Sequence, residues 1–422
     1  MRGTMPTSPA TEAAPAPTSF PKGQIRVLLL ENVHATALEI VREEGFRLET
    51  VPGALGEDEL VERMREVHVL GIRSKTRVTE RALGEARRLL ALGTFCIGTN
   101  QVAVDAAAGR GVPVFNAPFS NTRSVAELVI AEVIALARRL ADRSRDMHDG
   151  RWRKSAPSCY EIRGKTLGIV GYGHIGTQVG VLAEAFGMQV LFHDVAPKLP
   201  IGNNRPAASL AALLAQADFV TLHVPETPLT RGLFGPRELA RMKPGAYLLN
   251  LSRGSVVDVG ALARALASGH LAGAAADVFP AEPDGNTDEF ATELRGLPNV
   301  ILTPHVGGST EEAQAAIGRE VATALVKFVN TGATTGAVNF PHVEPPPLRG
   351  RHRLLNVHRN VPGVLSDINR IVSEAHANIE SQILATTPAV GYLVMDLNRE
   401  VSNEVRTQMS ALPTSIRTRV LY

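Results

Sequence analysis

The chain has 422 residues, 44% of them apolar and 20% charged, enough material for two or three packed domains. Its 44 basic and 42 acidic residues leave a formal charge of +2, too weak a field for nucleic acid to be the expected partner. No apolar run approaches the roughly 20 residues that cross a bilayer, and two cysteines, Cys96 and Cys159, read as packing residues of a reduced, cytoplasmic protein, not as a disulfide.

Residues 1–23, rich in Ala, Pro, Thr and Ser, lack both a signal core and an Arg-rich transit pattern and are expected to be a disordered extension. From Gln24 the run Ile-Arg-Val-Leu-Leu-Leu predicts a buried strand, with further strands over 67–72, 94–97 and 112–116, making a first small α/β unit. Ser124, with Glu127 three residues on, predicts a capping box opening a long helix. Its apolar face carries Val125, Leu128, Val129, Val133 and Leu136 and is expected to pack between domains or subunits.

A strand over 165–170 then runs into Gly171-Tyr-Gly-His-Ile-Gly176 and a helix, and strands follow over 189–193, 219–223, 247–250, 274–278 and 300–302, separated by helix-length segments. A long helix is predicted over 311–331. Pro341, Pro345, Pro346 and Pro347 then suit a linker. Residues 351–422 read strand, helix, strand, strand, helix, strand, a small ferredoxin-like domain, and the basic cluster Arg349, Arg351 and Arg353 is expected to be a solvated linker face. The expected fold class is α/β: two Rossmann-like doubly wound domains followed by the ferredoxin-like one.

Two constellations carry chemistry. Gly171, Gly173 and Gly176 fit a dinucleotide turn: the first suits the tight bend, the second backbone approach to a pyrophosphate, the third close helix packing. Asp194, ending the next strand, is placed to accept hydrogen bonds from an adenosine ribose, which favours NAD, while Lys198 nearby leaves NADP as the second option. Further on stand Arg253 in Asn-Leu-Ser-Arg-Gly, Glu282 in Asp-Val-Phe-Pro-Ala-Glu-Pro and His305 in Thr-Pro-His-Val-Gly-Gly-Ser. Oxidation of a hydroxy acid needs a base for the hydroxyl proton, a carboxylate to stabilise the resulting imidazolium and a cation for the substrate carboxylate. These three residue types supply one group for each task.

The motifs Ile97-Gly-Thr-Asn-Gln, Asn116-Ala-Pro-Phe-Ser-Asn-Thr-Arg-Ser, the glycine turn, Asn250-Leu-Ser-Arg-Gly, Asp277-Val-Phe-Pro and Thr303-Pro-His-Val-Gly-Gly-Ser-Thr resemble the D-isomer-specific 2-hydroxyacid dehydrogenase family, in its form with a C-terminal ACT domain. The likeness runs over about residues 24 to 422. It implies a discontinuous substrate domain (24–120 and 308–344) interrupted by an NAD domain (121–307), with an ACT regulatory domain over 351–422. Gly307 and Gly308 would then suit one hinge crossing.

On matching positions the resemblance makes His305 the general acid/base, Glu282 its carboxylate partner and Arg253 the orienting cation. It assigns cofactor contacts to Gly171, Gly173, His174, Ile175, Asp194, Leu251, Ser252, Arg253, Asp277, His305, Gly307 and Gly308, with His223-Val-Pro225 on the adenosine side. Substrate contacts fall to Arg73, Ser74, Lys75, Gly98 and Asn100. The family often has arginine where Lys75 stands, so a point charge replaces a bidentate fork. His358, Asn360 and Asn378 match effector-binding positions for L-serine, and assembly would be a homotetramer. The implied activity is NAD-dependent oxidation of 3-phosphoglycerate, with no metal; a dehydrogenase for another 2-keto acid such as 2-oxoglutarate and a non-enzymatic NAD-sensing scaffold remain as alternatives.

Overall fold

The computed structural model describes residues 19–283, 289–348, 351–398 and 402–422, arranged in two compact units, Met1–Ala117 with Gly318–Tyr422, and Pro118–Ile317. Residues 1–18 of the expected extension lie outside the described part, but 19–23 are held in place. Ser19 N donates to Tyr422 O at 3.2 Å, Lys22–Gln24 forms a short 3-10 turn, and the Phe20 ring lies 5.7 Å from that of His68. Together these contacts place residues that composition alone assigns to disorder.

The first unit begins with a parallel sheet of β1 (Arg26–Leu30), β2 (Arg47–Val51), β3 (Val69–Ile72), β4 (Ala91–Thr94) and β5 (Val114–Phe115), in the order β2-β1-β3-β4-β5. β1, β3 and β4 are near-continuously buried, as strands covered on both faces must be. The strand expected over 94–97 is displaced: β4 occupies Ala91–Thr94, and the chain turns away at Phe95. Ala-Leu-Gly-Thr has little intrinsic strand signal. It is selected because Gly93 admits the helix Glu311–Thr331 closely enough that an added Cβ would meet Val321 at 2.6 Å and Leu325 at 2.8 Å.

The second unit is a seven-stranded parallel sheet of β6 (Thr166–Val170), β7 (Gln189–His193), β8 (Arg205–Pro206), β9 (Phe219–Leu222), β10 (Ala246–Asn250), β11 (Leu271–Ala276) and β12 (Val300–Leu302). The order β12-β11-β10-β9-β6-β7-β8 reverses direction between β9 and β6, which is where doubly wound sheets bind ligands. The long helix begins two residues earlier than expected, at Thr122, and ends at Arg138. Ser124 is therefore not its cap: its Oγ lies 2.8 Å from Thr310 Oγ1, and Glu127 pairs with Arg123 at 2.6 Å instead of closing a capping box. The hydroxyl finds a tertiary partner, which overrides the local motif. Val125, Val129, Val133 and Leu136 are buried against this unit's sheet and the helix His174–Ala185.

The first unit closes with an antiparallel sheet of β13 (His352–Arg359), β14 (Ile379–Thr386), β15 (Val390–Leu397) and β16 (Ser415–Leu421), ordered β14-β15-β13-β16 and backed by helices Val364–Glu374 and Ser402–Ser410. The strand-helix-strand order is the one expected over 351–422. The expectation of a solvated basic face fails at Arg353, which is fully buried with Asp396 nearly so, while Arg351 is exposed as expected. Arg353 and Asp396 are register partners on β13 and β15, and the guanidinium meets the carboxylate at 2.6 and 2.8 Å while also donating to Thr331 O and Pro346 O. Arg351 pairs with Glu380 at 2.7 Å, and Arg349 lies outside the described residues. The proline-rich stretch is likewise anchored, since Thr334 Oγ1 donates to Pro341 O at 2.6 Å and accepts from Val343 N at 3.0 Å. Neither Cys96 nor Cys159 forms a disulfide, and among the described residues no helix is long and apolar enough to cross a membrane.

Candidate active site

At the carboxyl end of β6 the backbone turns through Gly171 at φ 90°, where an added Cβ would lie 2.4 Å from His223 O at the end of β9. Only glycine combines that dihedral with that approach. Gly176 packs on the same turn, and Gly173 caps the helix His174–Ala185 without a side-chain partner, in open space. The first backbone N–H groups of this helix are thus left for an anion. His174 and Ile175 form its first turn, with the His174 ring 4.0 Å from that of Phe119. Asp194 directly follows β7, and its carboxylate accepts from Tyr172 N at 2.8 Å and Ala196 N at 2.9 Å. Each oxygen keeps a free lone pair. His223 is partly buried, with Nε2 3.0 Å from Thr221 Oγ1, and desolvation of its ring pushes its pKa down to about 3, so it is neutral. An uncapped helix start, a glycine cradle and a carboxylate at the next strand end fit a dinucleotide.

The second half of the site is built on the ends of β10, β11 and β12. Buried Asn250 accepts from Ser252 N and Oγ and donates to Arg253 O at 3.0 Å, which folds Leu251, Ser252 and Arg253 into one turn. Arg253 itself donates to Ser252 O at 2.7 Å and is partly buried. Gly254 lets this turn rest against the next segment, since an added Cβ would sit 2.0 to 2.5 Å from the backbone of Phe279 and Pro280. Glu282 follows on, its Oε1 accepting from Phe279 N at 3.0 Å. Replacing Gly254 with alanine is expected to separate the two turns and lower kcat more than it raises KM, read by steady-state kinetics beside a thermal scan for folding.

Glu282 Oε2 lies 2.7 Å from His305 Nδ1. Burial opposes ionisation of Glu282, but the hydrogen bonds from His305 and Phe279 N and the charges of His305 and Arg253 outweigh it, and the carboxyl sits below its ordinary range. The bond to Glu282 likewise raises the His305 pKa, against burial, with the charges of Glu282 and Asp277 adding and that of Arg253 opposing. His305 adopts φ 54°, a left-handed conformation unusual for a residue with a Cβ. It is held there by its N–H donating to Asp277 O at 2.8 Å.

Buried Asp277 organises the whole segment, accepting from Thr303 Oγ1 at 2.6 Å, Val306 N at 2.8 Å and Gly307 N at 2.8 Å. One lone pair of Oδ2 is left over. Neither Gly307 nor Gly308 has a positive φ; they are fixed by close approach, to Asp277 and to Asn121 respectively. Glu132, hidden in a helix face that reads as apolar, is buried without a hydrogen-bond partner among the described residues, and burial together with the Asp277 charge raises its pKa to about 8.

In the other unit, Arg73, Ser74 and Lys75 follow β3. Glu31, whose buried carboxylate accepts from Lys75 N at 2.9 Å and Thr76 N at 2.8 Å, shapes that turn. Gln101 joins it to the second predicted segment, donating to Arg73 O at 2.6 Å and Gly98 O at 3.2 Å, with Asn100 exposed alongside. Among the described residues no carboxylate pairs with Arg73 or Lys75. Glu31, Gln101, Asn250 and Gly254 have no assigned role in the sequence reading. The Glu31 carboxylate bonds to chain more than forty residues away, whereas Gln101, Asn250 and Gly254 were visible as motif members, and only the reach of Gln101 to Arg73 O was not.

The three effector positions stand apart in character. Asn360 is exposed and donates to Thr387 O at 2.8 Å, and Asn378 is exposed before β14. His358 is buried, its ring lying over Gly391 and its Nδ1 2.9 Å from Asn356 Oδ1, and burial lowers its pKa. Among the described residues no hydrogen bond joins the three.

Residues 130–307 match the model for the D-isomer specific 2-hydroxyacid dehydrogenase NAD binding domain, and 354–417 match that for the AHAS small subunit-like ACT domain. The chain is 56% identical to the D-3-phosphoglycerate dehydrogenase of Dictyostelium discoideum over 405 residues, covering 96% of this chain and 99% of that one. It is 51% identical to the Escherichia coli K12 protein of the same name, covering 96% and 100%. Among solved structures, the D-lactate dehydrogenase of Aquifex aeolicus complexed with NAD and lactic acid superposes with a TM-score of 0.63 at 29% identity, over 72% of this chain and 95% of that one. The fold and site define a nicotinamide-dependent oxidoreductase. This chain belongs to the D-isomer-specific 2-hydroxyacid dehydrogenase family, in the branch with a C-terminal ACT domain, and its cofactor is NAD.

Proposed function

We propose that this dehydrogenase oxidises 3-phospho-D-glycerate to 3-phosphohydroxypyruvate, the first step from that acid toward L-serine. The observation that carries it is the 2.7 Å contact of Glu282 with His305 Nδ1. With Nδ1 committed to the carboxylate, Nε2 is the nitrogen free to take the hydroxyl proton, and Glu282 stabilises the imidazolium that results. Arg253 orients the substrate carboxylate and polarises the reacting oxygen. NAD, when bound, supplies the carbon that accepts hydride. Its phosphates suit the helix start at Gly173–His174–Ile175, its ribose Asp194, and its nicotinamide end Leu251, Ser252, Asp277, Gly307 and Gly308.

The same reading gives the substrate's charged ends to Arg73, Ser74, Lys75, Gly98 and Asn100, a choice supported by cations that have no carboxylate partner among the described residues. It divides the chain into a substrate domain of 24–120 with 308–344, an NAD domain of 121–307 and a regulatory domain of 351–422, in a cytoplasmic homotetramer. L-serine is assigned as inhibitor at His358, Asn360 and Asn378, which favours an arrangement of lower activity. The ACT-model match and the exposed amides support this, and access to His358 would require the ring to leave its contact with Gly391.

Steady-state assays with 3-phosphoglycerate and 2-hydroxyglutarate, each with and without L-serine, test the assignment. The expected result is a clear preference in kcat/KM for the phosphorylated acid and a rate that falls with serine. Equal activity on the unphosphorylated acid would move the substrate assignment to 2-keto acids at large, and insensitivity to serine would remove the effector.

A further inference from the structure

Where the first parallel sheet meets the antiparallel sheet, within one compact unit, lies a cavity of about 570 Å³ that no step above uses. It is lined by Arg87 and Arg110 from one side and Arg359 and Arg417 from the other, with Asp105 the single acidic side chain. Among the described residues none of the four guanidiniums is in an ion pair with a carboxylate. Arg417 is anchored by main-chain carbonyls instead, donating to Leu89 O and, at 3.1 Å, to Arg87 O. A guanidinium has five donors, so three remain. The wall beside it is close-packed: at Gly111, with φ 70°, an added Cβ would lie 2.9 Å from Arg417 Cβ. Burial without a counter-charge pushes the Arg417 guanidinium below its ordinary range, a cost that a bound anion would relieve.

We infer that this cavity binds a small phosphoryl anion, clamped by Arg87 and Arg110 on the parallel-sheet side and Arg359 and Arg417 on the antiparallel-sheet side. Four forked cations against one carboxylate match a multiply charged, tetrahedral anion better than a single carboxylate. The volume falls in the range of small-molecule sites, roughly 300–1,000 Å³. Because both sheets contribute, the anion ties them together and stabilises their contact in proportion to its occupancy.

Isothermal titration of the full chain with pyrophosphate at fixed ionic strength tests this, alongside Arg87→Gln/Arg110→Gln, Arg417→Gln and, to set aside the substrate positions, Lys75→Ala. Wild type and Lys75→Ala are expected to bind alike, and the double variant to bind at least about tenfold more weakly, a loss of about 1.4 kcal/mol, with its dehydrogenase kcat/KM unchanged. Should Arg417→Gln disturb the contact between sheets, the double variant still decides, since neither of its side chains holds that contact. Tighter binding of glycerol 3-phosphate than of inorganic phosphate would assign the natural ligand to phosphate esters, and the reverse order to free phosphate; both support the site. Undiminished pyrophosphate binding by the double variant, loss of binding in Lys75→Ala alone, or the same heat from chloride would overturn it.

Discussion

Replacing His305 with asparagine is expected to lower turnover by about two to four orders of magnitude while NADH binding, followed by nucleotide fluorescence, persists. The loss follows from the geometry of one pair. His305 is held at φ 54° by the Asp277 carbonyl and oriented through Nδ1 by Glu282, and an amide can neither accept and release the proton nor be stabilised by that carboxylate. A non-enzymatic scaffold would show no turnover to lose, so wild-type inactivity with intact NADH binding would sink the assignment.

The pH dependence carries the same argument. In hydroxy-acid oxidation the base must be neutral, so kcat/KM rises with pH through the His305 pKa. Glu282 raises that pKa above the 6.5 of an ordinary imidazole, so the acid limb is expected above that value. Glu282→Gln removes the raising interaction and should move the limb to lower pH while reducing kcat. A limb that stays in place in Glu282→Gln would mean that another group titrates.

The second large effect concerns folding. Arg353→Ala leaves the Asp396 carboxylate buried without its bidentate partner and strands the carbonyls of Thr331 and Pro346, and is expected to cost about 3–5 kcal/mol. Because the chain has more than one domain, the effect is best read locally, as lost hydrogen-exchange protection on β13 and β15. Replacing both partners, Arg353→Met with Asp396→Leu, removes the desolvated charges together and should recover most of the loss. Equal protection in Arg353→Ala and wild type would show the pair to be marginal.

Much of this molecule was legible beforehand because its signals are local. β7, β12 and the helix Glu311–Thr331 fall on the predicted residues, since each is a periodic run bounded by turn residues. The glycine turn was readable because its dihedral and its close contacts admit nothing larger at Gly171 and Gly176. The misreadings share one cause. Ser124 had a tertiary partner in Thr310, β4 was selected by the helix packed over Gly93, and Arg353 met Asp396 across a ladder of long sequence separation.

Residue types and their spacing by themselves determined the alternation of strands and helices, the dinucleotide turn and which three side chains could do acid-base chemistry, because these depend on period, backbone sterics and functional-group identity. Only the tertiary structure decided that Glu282 meets His305 at 2.7 Å, that Asp277 spends its carboxylate on the chain, that Glu31 and Gln101 shape the cationic turn, and that four arginines with no carboxylate partner among the described residues converge on one cavity. Hydrogen bonds and charge pairing act over a few ångströms, and only folding sets which distant residues come that near.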